Sequence, residues 1–261
     1  MSNDLIEKYV NNLGWIREQL LAMDELCSPV MGVKDWDDSV IINFEGKQLV
    51  VSVDGPYTKR LVMKSALVHA ATDVLVKGAK PLFALDTLIG LKSDVQDMIA
   101  SLKKQANDLK LPLLGGNTLF GAVEPRCSLT VVGKLLTEEP IRDNNAQIGD
   151  LVCLLGEPIW GEQDERLKNA GKLFETWFDA ISKVKINSAK DVTKGGLVSV
   201  VYEMESKSNK RFNLLDKIKY PVSRNLDNFI LTLTEVEFKK LEKIAMSHKC
   251  PLEKIGVVES I

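Results

Sequence analysis

The sequence predicts an α/β or α+β protein of two lobes, and three observations carry that reading. Short β-rich runs alternate with amphipathic helical stretches along most of the chain. A polar stretch, "TEEPIRDNNAQIGD", interrupts the alternation midway and reads as a joint. The chain has 261 residues, 45% of them hydrophobic, which suits two modest cores. The boundary is placed near Asn144, which divides the chain into an N-terminal domain over 1–143 and a short C-terminal domain over 144–261.

Residues 4–24 put Leu5, Ile6, Tyr9, Leu13, Ile16, Leu20 and Leu21 on one helical face, with Ser2 as a cap and Gly14 as a point of interruption. A hairpin follows, in which "DSVIINF" and "QLVVSVD" flank the turn residues "EGK". From Lys64 to Lys77 the positions Leu67, Ala70, Ala71, Val74 and Leu75 return to helical spacing, and Gly78 stands where such a helix stops. "PLFALDTLI" reads as a buried strand. Ser93 with Gln96 forms a capping box for a helix whose stripe is Val95, Met98, Ile99, Leu102, Ala106 and Leu109. "LPLLGGNT" then reads as a short strand and a glycine turn, and "RCSLTVVGKLL" as a strand. In the second lobe "LVCLLG" is a strand, while Leu173, Phe174, Trp177 and Ile181 mark a helix. "KDVTKGGLVSVVYEME" is a loop entering a helix through two glycines, and the end of the chain has the order strand, helix, strand. No internal repeat stands out.

Composition excludes several classes of function. The 34 Lys and Arg nearly cancel the 36 Asp and Glu, for a net charge of −2, so no broad field attracts nucleic acid or an anionic membrane. No apolar run approaches the roughly 18 residues that span a bilayer. Four scattered cysteines, Cys27, Cys127, Cys153 and Cys250, form neither a zinc pattern nor a disulfide framework, and no basic neighbourhood marks Cys27 or Cys250 as reactive. A soluble, unprocessed, cytoplasmic protein is expected.

Four stretches concentrate carboxylates, glycines and hydroxyls at the ends of these elements. They contain Asp37 and Asp38; Asp54, Thr58 and Lys59; Asp73; and Gly115, Gly116, Asn117 and Thr118. Separated carboxylates that converge in space suit magnesium, which takes hard oxygen ligands together with substrate phosphates. A lysine and glycine-turn amides suit the phosphates themselves. Taken singly, Asp37, Asp38 and Asp54 also read as turn residues, Gly115 and Gly116 as a tight turn, and Lys59 with Arg60 as a solvated pair. His69 reads as a packed or surface histidine and His248 as part of a structural helix. Asp73 stands out because it sits in the apolar run "ALVHAATDVLV", where a buried carboxylate needs a partner.

Taken in order, these stretches resemble the aminoimidazole ribonucleotide (AIR) synthase superfamily. "VDGPYTKRL" is similar to its DGVGTK segment, "ATDVLVKGAKPLFALD" to its VNDLxxxGAxPLFFLD stretch, and "LLGGNT" to its GGxT turn. "IGDLVCLLG" resembles the strand that opens the second domain, "DVTKGGL" the DVSGGGL segment, and "DWDDSVI" the GDDAAVI segment of the thiamine monophosphate kinase branch. The resemblance implies a PurM-like fold: an N-terminal mixed-sheet lobe that pairs with its mate in a homodimer, and a C-terminal α/β lobe. It implies ATP and Mg2+ as cofactors, with metal at Asp37 or Asp38, Asp54 and Asp73. Nucleotide would meet Thr58, Lys59, Gly115, Gly116, Asn117 and Thr118, and a small-molecule acceptor would face Asp191 and Lys194, beside Gly195 and Gly196.

The departures narrow that expectation. Asn117 stands where several relatives carry an acid, Pro56 and Tyr57 replace flexible positions of the DGVGTK loop, and Lys194 replaces an acid of the kinase branch. The chain ends "VVESI", without the cysteine of the hydrogenase maturation type, and it lacks the cysteine-bearing loop of the selenophosphate type and the PHSNGYSL segment of the synthase. The expected function is an ATP- and Mg2+-dependent enzyme that uses the γ-phosphate to activate an oxygen of a small substrate, as a phosphotransferase or a ligase-like enzyme. The alternative is a non-catalytic nucleotide-binding regulatory or assembly protein.

Overall fold

The computed structural model describes residues 3–11, 14–193, 195–215 and 225–261. Its strands form two five-stranded sheets. The first contains β1 (Val40–Phe44), β2 (Lys47–Thr58), β3 (Ala79–Gly90), β4 (Leu113–Phe120) and β5 (Arg126–Leu135), in the order β1-β2-β5-β3-β4. Only β3 and β4 run parallel, because the helix α6 (Lys92–Leu109) carries the chain back between them. The second contains β6 (Leu151–Leu155), β7 (Ser188–Asp191), β8 (Arg211–Leu214), β9 (Phe229–Leu233) and β10 (Leu252–Glu259), in the order β7-β9-β6-β10-β8, with antiparallel pairing throughout. The chain is a mixed α/β protein of two sheets.

Local sequence explains most elements. The β1–β2 hairpin closes through Glu45 and Gly46, both at positive φ, a turn whose twist matches the strands it joins. Buried positions of β3 and β5 alternate with half-buried or exposed ones. The central helix α5 (Ala66–Leu75) is apolar almost all round because it is buried almost all round. It packs on β2, β3 and β5 on one side and touches α7 (Gln163–Ile181) on the other. Trp177 of α7 donates its indole N–H to Leu75 O at 2.5 Å and packs edge-on to Phe229 at 4.9 Å. One hydrophobic core therefore runs from the first sheet through α5 and α7 to the second. A separate cluster fills the space between the second sheet and α8 (Gly196–Ser208).

Four expectations change. The first helix is divided into α1 (Asn3–Val10), α2 (Gly14–Leu20) and the short α3 (Asp24–Cys27), and Leu5, Leu20 and Leu21 are exposed rather than forming a buried stripe. The α6 helix starts at Lys92 after Leu91, so Ser93 lies inside the first turn and no side chain caps it. The glycines of "LLGGNT" do not turn the chain but continue β4. A Cβ on Gly116 would lie 1.7 Å from Asp86 O, so the close approach of β3 is what requires glycine there. Lys190 and Asp191, read as loop, form the end of strand β7. The remaining elements are the 3-10 turn Leu21–Met23, the one-turn α4 (Lys59–Val62) and α9 (Glu235–Ser247). No helix among the described residues is long and apolar enough to cross a membrane.

Candidate functional site

A cavity of about 1060 Å3 lies where α5, β2, β7 and the start of α7 meet. Part of its lining is acidic. Asp38 comes from the segment before β1, Asp73 from α5 and Asp191 from the end of β7, and each offers an oxygen within 4.8 Å of the others. Three segments far apart in sequence thus place carboxylates at one point. Ser52 Oγ donates to Asp73 Oδ2 at 2.7 Å, and Thr72 Oγ1 donates to Asp191 Oδ2 at 2.9 Å. The other oxygen of Asp191 has no hydrogen-bond partner among the described residues.

Protonation reports the crowding. Burial, then the charges of Asp191, Asp54 and Asp38, push the Asp73 carboxyl well above its ordinary range. Asp191 is pushed up to about 8, first by burial and then by Asp38, against the opposite pull of Lys190 and the Thr72 hydrogen bond. Such a set favours either a proton or a bound cation, and its all-oxygen donors suit a hard divalent ion.

Asp37, which shared the expectation with Asp38, points elsewhere. It takes an ion pair from the fully buried Lys77 at 2.6 Å, and its carboxyl is held far below the usual range because Lys77, Lys190 and Lys207 outweigh the opposing effect of burial. Asp38 stands between the two environments: Lys190 contacts its Oδ1, and Lys77 lies 3.2 Å from its Oδ2. Asp54 lines the cavity beside the acidic group and accepts from Tyr57 OH at 2.5 Å and Gly55 N at 2.7 Å.

The expected phosphate ligands are spread apart. Thr58 lines the cavity, but Lys59 turns toward α6, where it pairs with Asp94 at 2.9 Å and Asp97 at 2.5 Å. Gly116, Asn117 and Thr118 lie exposed on β4 opposite Asp86, Thr87 and Leu88. Gly115 lines a second cavity of about 570 Å3 against α6. Within one chain these residues do not join the acidic group. Lys194 lies outside the described residues, while Gly195 and Gly196 open α8.

Several cavity residues do not read as site residues from sequence: Lys64 and Arg166 are not singled out, Arg60 reads as solvated and His69 as packed or surface. Arg60, Lys64 and Arg166 add cations to the cavity lining. Lys64 pairs with Glu162 at 2.8 Å, and Arg166 donates to Ser65 Oγ at 2.9 Å. The spacing of Arg60 and Lys64 by four residues was a usable signal; nothing local marked Arg166. His69, read as packing, is buried in the cavity wall and pairs with Asp227. Among the cysteines, burial raises the thiols of Cys127 and Cys153 to about 12 and also raises that of Cys250, so none of the three is an activated nucleophile.

The model of the family described as "AIR synthase related protein, N-terminal domain" matches residues 36–135. An uncharacterized protein of Methanocaldococcus jannaschii is 36% identical over 230 residues, which make up 86% of this chain and 76% of that one. A selenide, water dikinase of Carboxydothermus hydrogenoformans is 25% identical over 201 residues, covering 67% of this chain and 57% of its own. PurL of T. maritima, solved in complex with ATP, superposes with a TM-score of 0.68 over 85% of this chain and 42% of that one at 16% identity, a likeness of fold alone. On the similarity to the M. jannaschii protein, the family match and the shared two-sheet fold, the chain belongs to the AIR synthase-related, PurM-like superfamily.

Proposed function

We propose that the protein is an ATP- and Mg2+-dependent enzyme that transfers the γ-phosphate to an oxygen of a small molecule. One observation carries the reading: Asp38, Asp73 and Asp191 converge on one wall of a large cavity with their carboxylates crowded together. In phosphoryl transfer the protein chiefly positions groups and neutralises charge, which calls for such a set rather than for a nucleophile. The oxygens of Asp38, Asp73 and Asp191 would hold the ion, whose bound charge would offset that of the β- and γ-phosphates. Asp54 borders this group, Asp191 belongs to it as well as facing the cavity, and Arg60, Lys64 and Arg166 in the same lining suit an anionic acceptor. Names among the relatives point the same way, since one is a dikinase and another was solved with ATP.

A homodimer belongs to the proposal. Val53 and Leu85 both pair with Thr130, so they share the face of the first sheet opposite α5; both are exposed, as is Leu114 on β4. Covering that face would remove apolar area from water. The domain division at Asn144 is likewise proposed, between β5 of one sheet and β6 of the other. A second reading, a nucleotide-binding protein without turnover, draws on Lys59, which is committed to Asp94 and Asp97.

Isothermal titration with a non-hydrolysable ATP analogue tests the proposal. Binding is expected to require Mg2+ and to weaken at least tenfold in Asp191→Asn and Asp73→Asn. Absence of binding to the unaltered protein overturns the reading.

A further inference from the structure

Beside the acidic group the cavity wall holds a second arrangement that metal and phosphate binding do not use. His69 is 4% exposed, and its Nδ1 lies 2.5 Å from Oδ1 of Asp227, itself 1% exposed. Asn225 Nδ2 lies 3.5 Å from the same nitrogen, and the ring of Tyr57 packs on the imidazole at 5.9 Å between centroids. His69, Tyr57 and Asp227 all line the cavity. The remaining nitrogen, His69 Nε2, is buried and has no hydrogen-bond partner among the described residues. A buried polar atom left unpaired is destabilising, so a group in the cavity that bonds to it relieves that cost. A carboxylate on Nδ1 also selects the tautomer, because the proton sits toward Asp227 and the lone pair of Nε2 is left free to accept.

We propose that His69 is the general base of this site, with Asp227 as its positioning residue, and that the acceptor is a small alcohol carrying a carboxylate or phosphate. The inference rests on the phosphoryl-transfer reading. In the step, the acceptor hydroxyl gives its proton to His69 Nε2 as its oxygen forms a bond to the γ-phosphorus. The bond from that phosphorus to the bridging oxygen breaks, ADP leaves with the electron pair, and the imidazolium, stabilised by Asp227, passes its proton to water. A carboxylate acceptor has no proton to surrender and gives a base nothing to do, whereas a hydroxyl must lose its proton from the attacking oxygen itself, so the dyad suits an alcohol. Arg60, Lys64 and Arg166 in the same cavity account for the anionic group.

The charged groups that act on this ring are Asp227 before β9, Asp54 on β2 and Asp191 on β7; the phenol ring of Tyr57 on β2 packs on it, and Arg166 of α7 interacts with Asp227. Burial opposes the imidazolium, but Asp227, aided by Asp54 and Asp191, outweighs it and raises the ring above its ordinary 6.5.

The chain has two histidines, so 15N-histidine labelling yields two ring systems, and His69→Asn assigns them. The expected spectrum of His69 in the unaltered protein has Nδ1 protonated throughout and Nε2 titrating above about 6.5, with the midpoint lowered in Asp227→Asn. A neutral ring with its proton on Nε2, or one that does not titrate between about pH 5 and 9, overturns the proposal. The companion assay follows ADP formation from Mg-ATP with water, glycerol 3-phosphate or glycerate as hydroxyl probes and acetate or acetamide as controls without a hydroxyl. Turnover is expected with hydroxyl probes and falls about 100-fold in kcat in His69→Asn. Turnover driven by acetate or acetamide, or an unchanged rate in His69→Asn, refutes it. If the ATP analogue fails to bind the unaltered protein, the phosphoryl-transfer reading fails, while the ring titration still judges the dyad by itself.

Discussion

Asp37 and Asp73 are both aspartates near the junction of the two sheets, and their surroundings drive them in opposite directions. Asp37 faces Lys77, Lys190 and Lys207 and stays ionised far below the usual range, whereas Asp73 faces Asp38, Asp54 and Asp191 and is pushed well above it. Lys77 also donates to Ala189 O at 3.1 Å, so the compensated cluster ties the end of α5 to β7 and reads as structure. The acidic group on the cavity side is not compensated within the chain to the same degree. The difference teaches that charge closed off by lysines holds the two sheets together, and charge left crowded beside a cavity invites a cation.

The largest effect that separates the two clusters is expected from Lys77→Met. Losing one partner of a buried ion pair leaves Asp37 and Asp38 short of a counter-charge and costs about 3–5 kcal/mol, read from urea unfolding. Adding Asp37→Asn restores part of that loss beyond additivity. A Lys77→Met protein as stable as the unaltered one would remove the structural half of the comparison.

Next comes pH. Asp191 has its folded pKa raised to about 8 from an ordinary 3.8, so the native state holds its proton longer than the unfolded chain does. Its contribution is therefore complete below about pH 4 and is lost as pH rises toward 8. Without divalent ions, thermal stability is expected to decline across that window, and Mg2+ is expected to restore it at the upper end. A flat profile, indifferent to Mg2+, would mean that the acidic group neither crowds nor binds. A smaller effect attaches to Asp73→Asn, which keeps an acceptor for Ser52 while removing one charge. Its melting temperature at pH 8 without metal should rise by about 2–4 °C, and the Mg2+ increment should shrink. The smallest effect is expected from Lys59→Ala. Its ion pairs with Asp94 and Asp97 are partly open to solvent, so the melting temperature should hardly move. A tenfold loss of nucleotide affinity there would show that Lys59 leaves α6 for phosphate when ligand binds.

Much of the fold was legible because its signals are local. The Glu45–Gly46 hairpin, the helix ending before Gly78 and the stripe of α6 each follow from spacing and turn residues within a dozen positions. The exceptions have nonlocal causes. Gly115 and Gly116 resemble a turn in sequence, and it is the backbone of Asp86 on the neighbouring strand that makes them part of a sheet. The stripe of residues 4–24 has the right period, but its Leu5, Leu20 and Leu21 find no surface to cover. Asp73 announced itself as a charge in an apolar run. His69 gave no such notice, since its partner Asp227 lies 158 residues away.

The sequence by itself determined the alternation of strands and helices, the superfamily through motifs in their order, and the supply of carboxylates, because composition and periodicity act over short stretches of chain. Only the tertiary structure decided which of those carboxylates meet. Asp38, Asp73 and Asp191 converge while Asp37, next to one of them, turns to Lys77, and His69 gains a carboxylate on one nitrogen while the other stays free. Electrostatic character depends on distance in space and on exclusion of water, and neither is defined until the two sheets have packed around α5.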